Sequence, residues 1–452
     1  MQTPFAAIPD YLGQLIDQLR ARLRDPLFVS RHRRGSTDFT RQRTLTFPVV
    51  FLLLLQKTGK SVQRHLREFL AAWFAEPGTA AVTPGAWTQA RAKFKPTAFV
   101  ELNQEVLLPL VYAPEQAAQR RTWRGPRLLG VDGSALRLPA TAALLRIFGA
   151  KTVTNQGGAT GTCYPETRMS VLYDLLNELA LDARLEPGPV GEVDLALQQV
   201  SLLKPDDLLL WDRGFTGFVL MASVRHQGAH FLGRCSRASF LPAQELFRRN
   251  RAGRSVVTEL FAPEDQRAEL KRRGLPTRLR VRFISVRLPT GELEVLGTSL
   301  LDPATYPTND FLGLYHCRWG HETYYGRLKG RLDLEHWSGE TEAAGRQDFW
   351  ATVFLANVES VLSQPAQAQL QSRSATRQHP VQVNRADSFH ALKTRVLDLL
   401  ASDIPAEDVI GQLQHWFAAN PVSVRPERKP PRRPPSLARS YQFQRHVRKA
   451  VY

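Results

Sequence analysis

Four residues between Tyr315 and Lys329 (YHCRWGHETYYGRLK) have side chains and spacing that suit chemistry better than packing. At about 100° per residue, Tyr315, Arg318, Glu322 and Lys329 fall within roughly 60° of one another on a single predicted helix. One carboxylate flanked by two cations and a phenol suits a core poorly. It suits gripping a phosphodiester while helping to hold a metal ion. Glu322 then needs acidic partners, and two short apolar runs end in one: Leu128-Leu129-Gly130-Val131 before Asp132, and Leu208-Leu209-Leu210-Trp211 before Asp212. An acid ending a buried strand is unfavourable unless paired or metal-bound. Two ions about 3.5–4 Å apart, held by hard oxygen ligands, would activate an attacking oxygen and stabilise a leaving one. Singly, each acid has a plainer explanation: Asp132 as a turn residue before Gly133, Asp212 as a partner for Arg213, Glu322 as the helical partner of Arg318. No cysteine–histidine zinc pattern, serine-nucleophile elbow or phosphate-binding glycine loop competes with the three acids.

The elements that must position these residues are readable in outline. Residues 1–120 have helical spacing, with Thr46 and Pro48 opening one helix, Thr83-Pro84 another and Pro96 a third. Met169 to Leu176 and Leu179 to Leu185 predict paired strands, Val193 to Leu203 a helix, and Leu208 to Trp211 a second buried strand. Together with Leu128 to Val131 they predict an α/β core with a mixed sheet. Arg278 to Leu288 alternates, turns at Pro289-Thr290-Gly291-Glu292 and resumes through Leu293 to Thr298, so 215–303 reads as a β-rich insertion. The core resumes at 304–364 with the helix carrying Glu322 and a helical stretch from Gln347 to Leu362. Beyond Gln364 the composition loosens into a linker, followed by a helical pair, Ser388 to Ala401 and Ala406 to Ala418, and a Pro/Arg tract with Arg425, Arg428, Lys429, Arg432 and Arg433. The expected division is therefore 1–120, 121–214, 215–303, 304–364 and 365–452.

Composition narrows the partners. The 452 residues are 43% hydrophobic and 23% charged, as in a folded chain with a sizeable core, and carry a net charge of +18. Such a field favours a polyanion, because each neutralised phosphate releases counterions; a ribosome-associated or membrane-surface protein is the plainer alternative. Clusters at Arg31, Arg33, Arg34, Arg41 and Arg43, and at Arg91, Lys93 and Lys95, point to a helical DNA-binding domain. Cys163, Cys235 and Cys317 are widely spaced and read as reduced thiols of a cytoplasmic protein. The apolar run Phe47 to Leu55 is too short to span a bilayer, and the N-terminus lacks a signal-peptide layout. Trp319, Tyr324 and Tyr325 read as core aromatics, and His321 as a surface histidine.

The spacing tyrosine, two residues, arginine, three residues, glutamate, six residues, lysine closely resembles the signature of a large group of bacterial insertion-sequence transposases. LLGVDGSALRLP at 128–139 is similar to that family's first-aspartate motif and LLLWDRGFTG at 208–217 to its second. FTRQRTLTFPVVFLLLL at 39–55 and VTPGAWTQARAKFKP at 82–96 resemble its N-terminal region, and DLEHWSGET at 333–341 the stretch after the signature. The resemblance implies a DDE enzyme with a ribonuclease H-like core interrupted by a β-strand insertion. It implies that Asp132, Asp212 and Glu322 bind two Mg²⁺ ions, with Mn²⁺ as a substitute, and that Tyr315, Arg318 and Lys329 contact phosphates at the transposon end. Arg213 is a further candidate for contact with the cut strand.

The implied reaction is water-driven nicking at terminal inverted repeats, then attack of the freed 3′-hydroxyl on target DNA, by a homodimer in a synaptic complex. The 388–418 helices are the expected joint between subunits, and the nucleoid the expected location. Relatives that form hairpins use an aromatic residue of the insertion. No tryptophan lies between Trp211 and Trp319 here, leaving Phe240, Phe247, Phe261 and Phe283, each of which also reads as core. Two other readings stay open: an inactive DNA-binding derivative, and a structure-specific metal-dependent nuclease without strand transfer.

Overall fold

The computed structural model describes residues 9–425 apart from 42, 60, 75–81, 155–159 and 375–376, so the Arg428–Arg433 basic tract lies outside the described residues. Two compact units are present. One comprises Gln119–Leu136 and Glu166–Tyr325; the other comprises the described residues of Met1–Ala118, Arg137–Pro165 and Gly326–Tyr452.

In chain order the elements are α1 (Asp10–Arg24), α2 (Pro26–His32), α3 (Phe47–Gln56), α4 (Val62–Phe74), α5 (Pro84–Ala92), α6 (Thr97–Glu101) and α7 (Leu108–Val111), then β1 (Leu128–Arg137), α8 (Ala142–Phe148), β2 (Ala150–Thr154), β3 (Thr160–Asp174), β4 (Leu179–Pro187) and α9 (Glu192–Gln199). There follow β5 (Leu208–Trp211), α10 (Phe218–His226), β6 (His230–Arg234), α11 (Leu241–Arg249), β7 (Ser255–Phe261), α12 (Glu264–Arg272), β8 (Arg278–Arg287) and β9 (Leu293–Thr298). The last group is α13 (Asp310–His316), α14 (Trp319–Gly330), α15 (Glu342–Ser374), β10 (Val381–Gln382), α16 (Arg385–Leu400), α17 (Ala406–Ala419) and β11 (Val422–Ser423).

The sheet unit runs β4-β3-β1-β5-β6-β9-β8-β7. Strands β3 and β4 are antiparallel, β1, β5 and β6 mutually parallel. This is the ribonuclease H-like core expected from the motifs. Continuous apolar runs suit strands covered on both faces, and every residue of β5 is buried. The expected hairpin is present, Arg287 facing Leu293 across β8 and β9. The insertion differs from expectation in its start. Residues from Phe218 to Arg234 form α10 and β6, and β6 pairs with β5 in the core, so the added strands begin after Arg234. They prolong the same sheet through β9, β8 and β7.

The helical unit joins chain segments expected to be separate. α17 packs on α1 and α15, and α16 on α3. The apolar faces of the 388–418 helices are thus largely used within one chain. α3 is buried almost throughout, as a core helix. Among the described residues no helix is long and apolar enough to cross a membrane. The expected linker after Gln364 is instead helical, because α15 runs on to Ser374 through Pro365. Proline removes one backbone donor, but Ala366 and Leu370 are each 1% exposed, Tyr11 donates to Gln364 Oε1 and Val383 N to Gln367 Oε1. Those contacts hold the helix.

Candidate active site

Strand register sets the site. Leu128 to Gly130 on β1 pair with Leu208 to Leu210 on β5. Carried two residues further, the same offset places Asp132 level with Asp212 on neighbouring strands, whose spacing is about 4.8 Å. Strand β5 pairs in turn with β6 from Leu208↔His230 to Trp211↔Gly233, which places Asp212 level with Arg234. Arg234 faces Leu296 on β9, so Glu294 is its diagonal neighbour, within reach of a long side chain. Asp132, Asp212, Arg234 and Glu294 thus form a row across the carboxyl ends of the parallel strands. The row is braced by Trp211, fully buried, whose indole N–H donates to Thr216 Oγ1 at 3.0 Å while Thr216 donates to Arg234 O at 2.6 Å. Gly233 is required beneath it: a Cβ there would come within 2.1 Å of Trp211 Nε1.

The predicted single helix over 315–329 is two helices, α13 and α14, meeting at Cys317 and Arg318. Bonds from Arg318 N to Tyr315 O, Gly320 N to Cys317 O and His321 N to Arg318 O tighten the chain to three-residue spacing there. The constant 100° step therefore fails at the junction. The tyrosine and arginine nevertheless reach the strand acids. Tyr315 donates to Asp212 Oδ1 at 3.2 Å; Arg318 Nη1 lies 3.6 Å from Asp132 Oδ2, and its Nη2 donates to Glu322 Oε1 at 2.9 Å. Helix α14 is docked by Tyr325, which donates to Asp132 O at 2.6 Å, and by Tyr324, stacked on Tyr173. Lys329 lies farther along α14, in the segment assigned to the helical unit. Arg213 is exposed; the cation beside Asp212 is instead Arg234, at 3.7 Å.

Burial raises the proton affinity of Asp132 to about 6, against a bond from Gly133 N and the charge of Arg318, while Glu192 and Asp212 add to the rise. Glu192 opens α9 and lies on Gly133, where an added Cβ would meet its Cγ and Cδ at 2.6 Å. Burial also pushes the Tyr315 phenol well up. His321 corrects the surface reading: it is fully buried against Tyr173 and Tyr325, neither ring nitrogen has a hydrogen-bond partner among the described residues, and burial lowers its pKa to about 3. Trp319 corrects the core reading. It is 44% exposed with the Arg318 guanidinium over its ring, whereas Tyr324 and Tyr325 are buried as expected. Of the insertion's phenylalanines, Phe283 is core and Phe261 is 63% exposed.

As the side chains stand, no three His, Cys, Asp or Glu groups among the described residues are close enough together to hold a metal ion. Arg318 lies between Asp132 and Glu322, and Glu322 is 44% exposed. The donor set still fits a hard divalent cation. It consists of carboxylate oxygens, and each strand acid already has a cation within salt-bridge distance.

Arg234, Glu294 and Glu192 went unread in the sequence. Arg234 had a signal, since it closes the apolar run of β6 much as Asp212 closes β5. The basic clusters resolve differently from expectation. Arg91 is 4% exposed and pairs with Asp348, and Arg31 pairs with Glu101. Arg34, Arg41 and Arg43 are exposed, the last two beside an open cleft of about 500 Å³ with Lys93.

A family model described as "Transposase DDE domain" matches residues 123–358, just over half of the chain. None of the curated proteins compared matches. Among solved structures, the chain is similar to a cryo-EM structure of the piggyBac transposase synaptic complex with hairpin DNA. The identity is 12%, coverage is 91% of this chain and 86% of that one, and the TM-score is 0.41.

Proposed function

Because the chain belongs to the DDE transposase family, we propose that it is a bacterial insertion-sequence enzyme of the tyrosine-arginine-glutamate-lysine signature group, acting by cut-and-paste transposition. The observation that carries this reading is the register of β1 on β5, whose continuation by two residues sets Asp132 beside Asp212, with Glu322 tied to Asp132 through Arg318. Asp132, Asp212 and Glu322 would hold two Mg²⁺ ions, or Mn²⁺ in their place. When bound, such ions supply Lewis acidity and lower the pKa of an attacking water.

The chain's own residues do the rest. The phenol of Tyr315 orients Asp212 through its hydrogen bond, and burial keeps that phenol protonated. Tyr325 fixes the β1 backbone at Asp132, so that the carboxylate direction is set before DNA arrives. Arg318, held at 2.9 Å by the partly exposed Glu322, would meet a phosphate with a planar guanidinium that suits bidentate grip. Lys329 adds a point charge. Exposed Arg34, Arg41 and Arg43 track the backbone of the terminal inverted repeat. Two copies of the chain, each holding one end, form the synaptic complex.

The experiment is direct. Purified protein with Mg²⁺ and DNA bearing the element's ends is expected to release 3′-hydroxyl termini and, with precleaved ends, to join them to target DNA. Asp132→Ala, Asp212→Ala and Glu322→Ala should each reduce cleavage by about a thousandfold or more while end-binding persists. Cleavage surviving all three substitutions sinks the assignment.

A further inference from the structure

Arg234 has three carboxylates around it. Its Nη2 lies 2.6 Å from Glu294 Oε1 and 3.9 Å from Glu292 Oε1, and its Nη1 lies 3.7 Å from Asp212 Oδ1. Glu294 is the tightest of these contacts and the most confined. Its side chain is 4% exposed, it sits within β9 in the middle of the sheet, and its second oxygen has no hydrogen-bond partner among the described residues. A buried carboxylate with an oxygen unused is costly unless it serves something.

We propose that Glu294 is a positioning residue that holds the Arg234 guanidinium off Asp212, leaving that carboxylate free to accept a divalent cation. The inference rests on the reading of Asp212 as a metal ligand. The geometry beside Asp132 makes the point by contrast. There too an arginine stands at 3.6 Å from a strand aspartate and is held at 2.9 Å by a glutamate, but that glutamate is 44% exposed and can rotate away. Glu294 has no such exit. It keeps Arg234 with or without metal, so the charge beside Asp212 is constant. With Glu294 neutralised, the nearest strong acceptor left to Arg234 is Asp212 itself, and a guanidinium drawn onto that carboxylate competes with any incoming cation.

The test measures Mn²⁺ binding to the full chain by the decrease of the free-ion electron paramagnetic resonance signal. Glu294→Gln should weaken binding by at least about tenfold, and adding Arg234→Gln should restore it to within about threefold of the parent, because the competing cation is gone. Arg234→Gln alone should bind at least as tightly as the parent. Parent-like binding by Glu294→Gln overturns the proposal, as does a double variant that stays weak, since the glutamate would then act on the metal directly. Asp212→Asn separates the two levels. If it binds Mn²⁺ as tightly as the parent, the metal reading itself fails and this proposal falls with it. If it loses binding while Glu294→Gln does not, only this proposal falls. Should Glu294→Gln not fold, Glu294→Met with Arg234→Met replaces the buried pair by apolar side chains of similar length. Parent-like Mn²⁺ binding then supports the proposal, and its disappearance overturns it.

Discussion

Arg91 in the helical unit and Arg318 in the sheet unit are almost equally hidden, at 4% and 6% exposure, yet they are treated in opposite ways. Every nitrogen of the Arg91 guanidinium is used. Nε donates to Gln347 Oε1, Nη1 to the carbonyl and hydroxyl of Ser338, and Nη2 to Ala344 O and Asp348. Arg318 has one short contact, to Glu322, one longer one to Asp132, and an Nε with no hydrogen-bond partner among the described residues. A saturated buried cation is a fastener, because any motion leaves donors unmatched. An under-satisfied one beside two carboxylates keeps capacity for an incoming anion. On the proposed function, the same residue type marks structure in one unit and chemistry in the other, and the difference is read from unused donors rather than from burial.

The sharpest way to break this comparison is to remove both arginines in turn. Arg91→Ala leaves the buried Asp348 without its ion-pair partner, held only by Ser338 N and Oγ, and should lower unfolding free energy by about 3 kcal/mol or more. Arg318→Met should lower stability by less than Arg91→Ala does, because Glu322 is 44% exposed and can be solvated in its place, while cleavage disappears. Chemical denaturation of the two variants measures both. Equal drops in stability would erase the distinction.

A second cation of the helical unit sharpens it. Burial, helped by neighbouring Lys57, lowers the Lys393 pKa to about 8 from its ordinary 10.5. Between those values the unfolded chain binds more protons than the folded one, so stability rises as pH climbs through the window, by up to about 3 kcal/mol. Lys393→Met should flatten that rise, as read from denaturation midpoints at pH 7.5 and 10. The smallest effect is expected from the chain's end. Ending the protein after Arg425 removes Arg428, Lys429, Arg432, Arg433, Arg439, Arg445, Arg448 and Lys449. The slope of log affinity against log salt should then fall by roughly one for each phosphate no longer neutralised, with both units still folded.

How much of this is legible in the sequence depends on the kind of pattern. Asp132 and Asp212 stand out because continuous apolar runs ending in an acid have few other uses in a sheet. That they lie level does not, since register is a property of paired strands and no single run contains it. The tyrosine–arginine–glutamate spacing is visible, but the three-residue step at Cys317 and Arg318 is not, because it is closed by backbone bonds rather than by a helix-breaking residue. His321 reads as a surface residue from its polar neighbours, yet it packs on Tyr173, far away in the chain. Pro365 and its Gln/Ala-rich surroundings look like a linker, and only Tyr11 and Val383 reveal the helix they complete. Arg91 looks like part of a DNA-facing cluster because Gln347, Ser338 and Asp348, which saturate it, belong to a distant stretch of sequence.

The ladder that aligns Asp132, Asp212 and Arg234 also separates what evolution can vary from what it cannot. Connections between β1, β5 and β6 can lengthen or shorten without disturbing the row, because backbone pairing sets the height of each side chain. Adding or deleting one residue inside Leu208–Trp211 would instead turn Asp212 to the opposite surface of the sheet. This short strand thus carries an indel intolerance that the stretches on either side of it do not share.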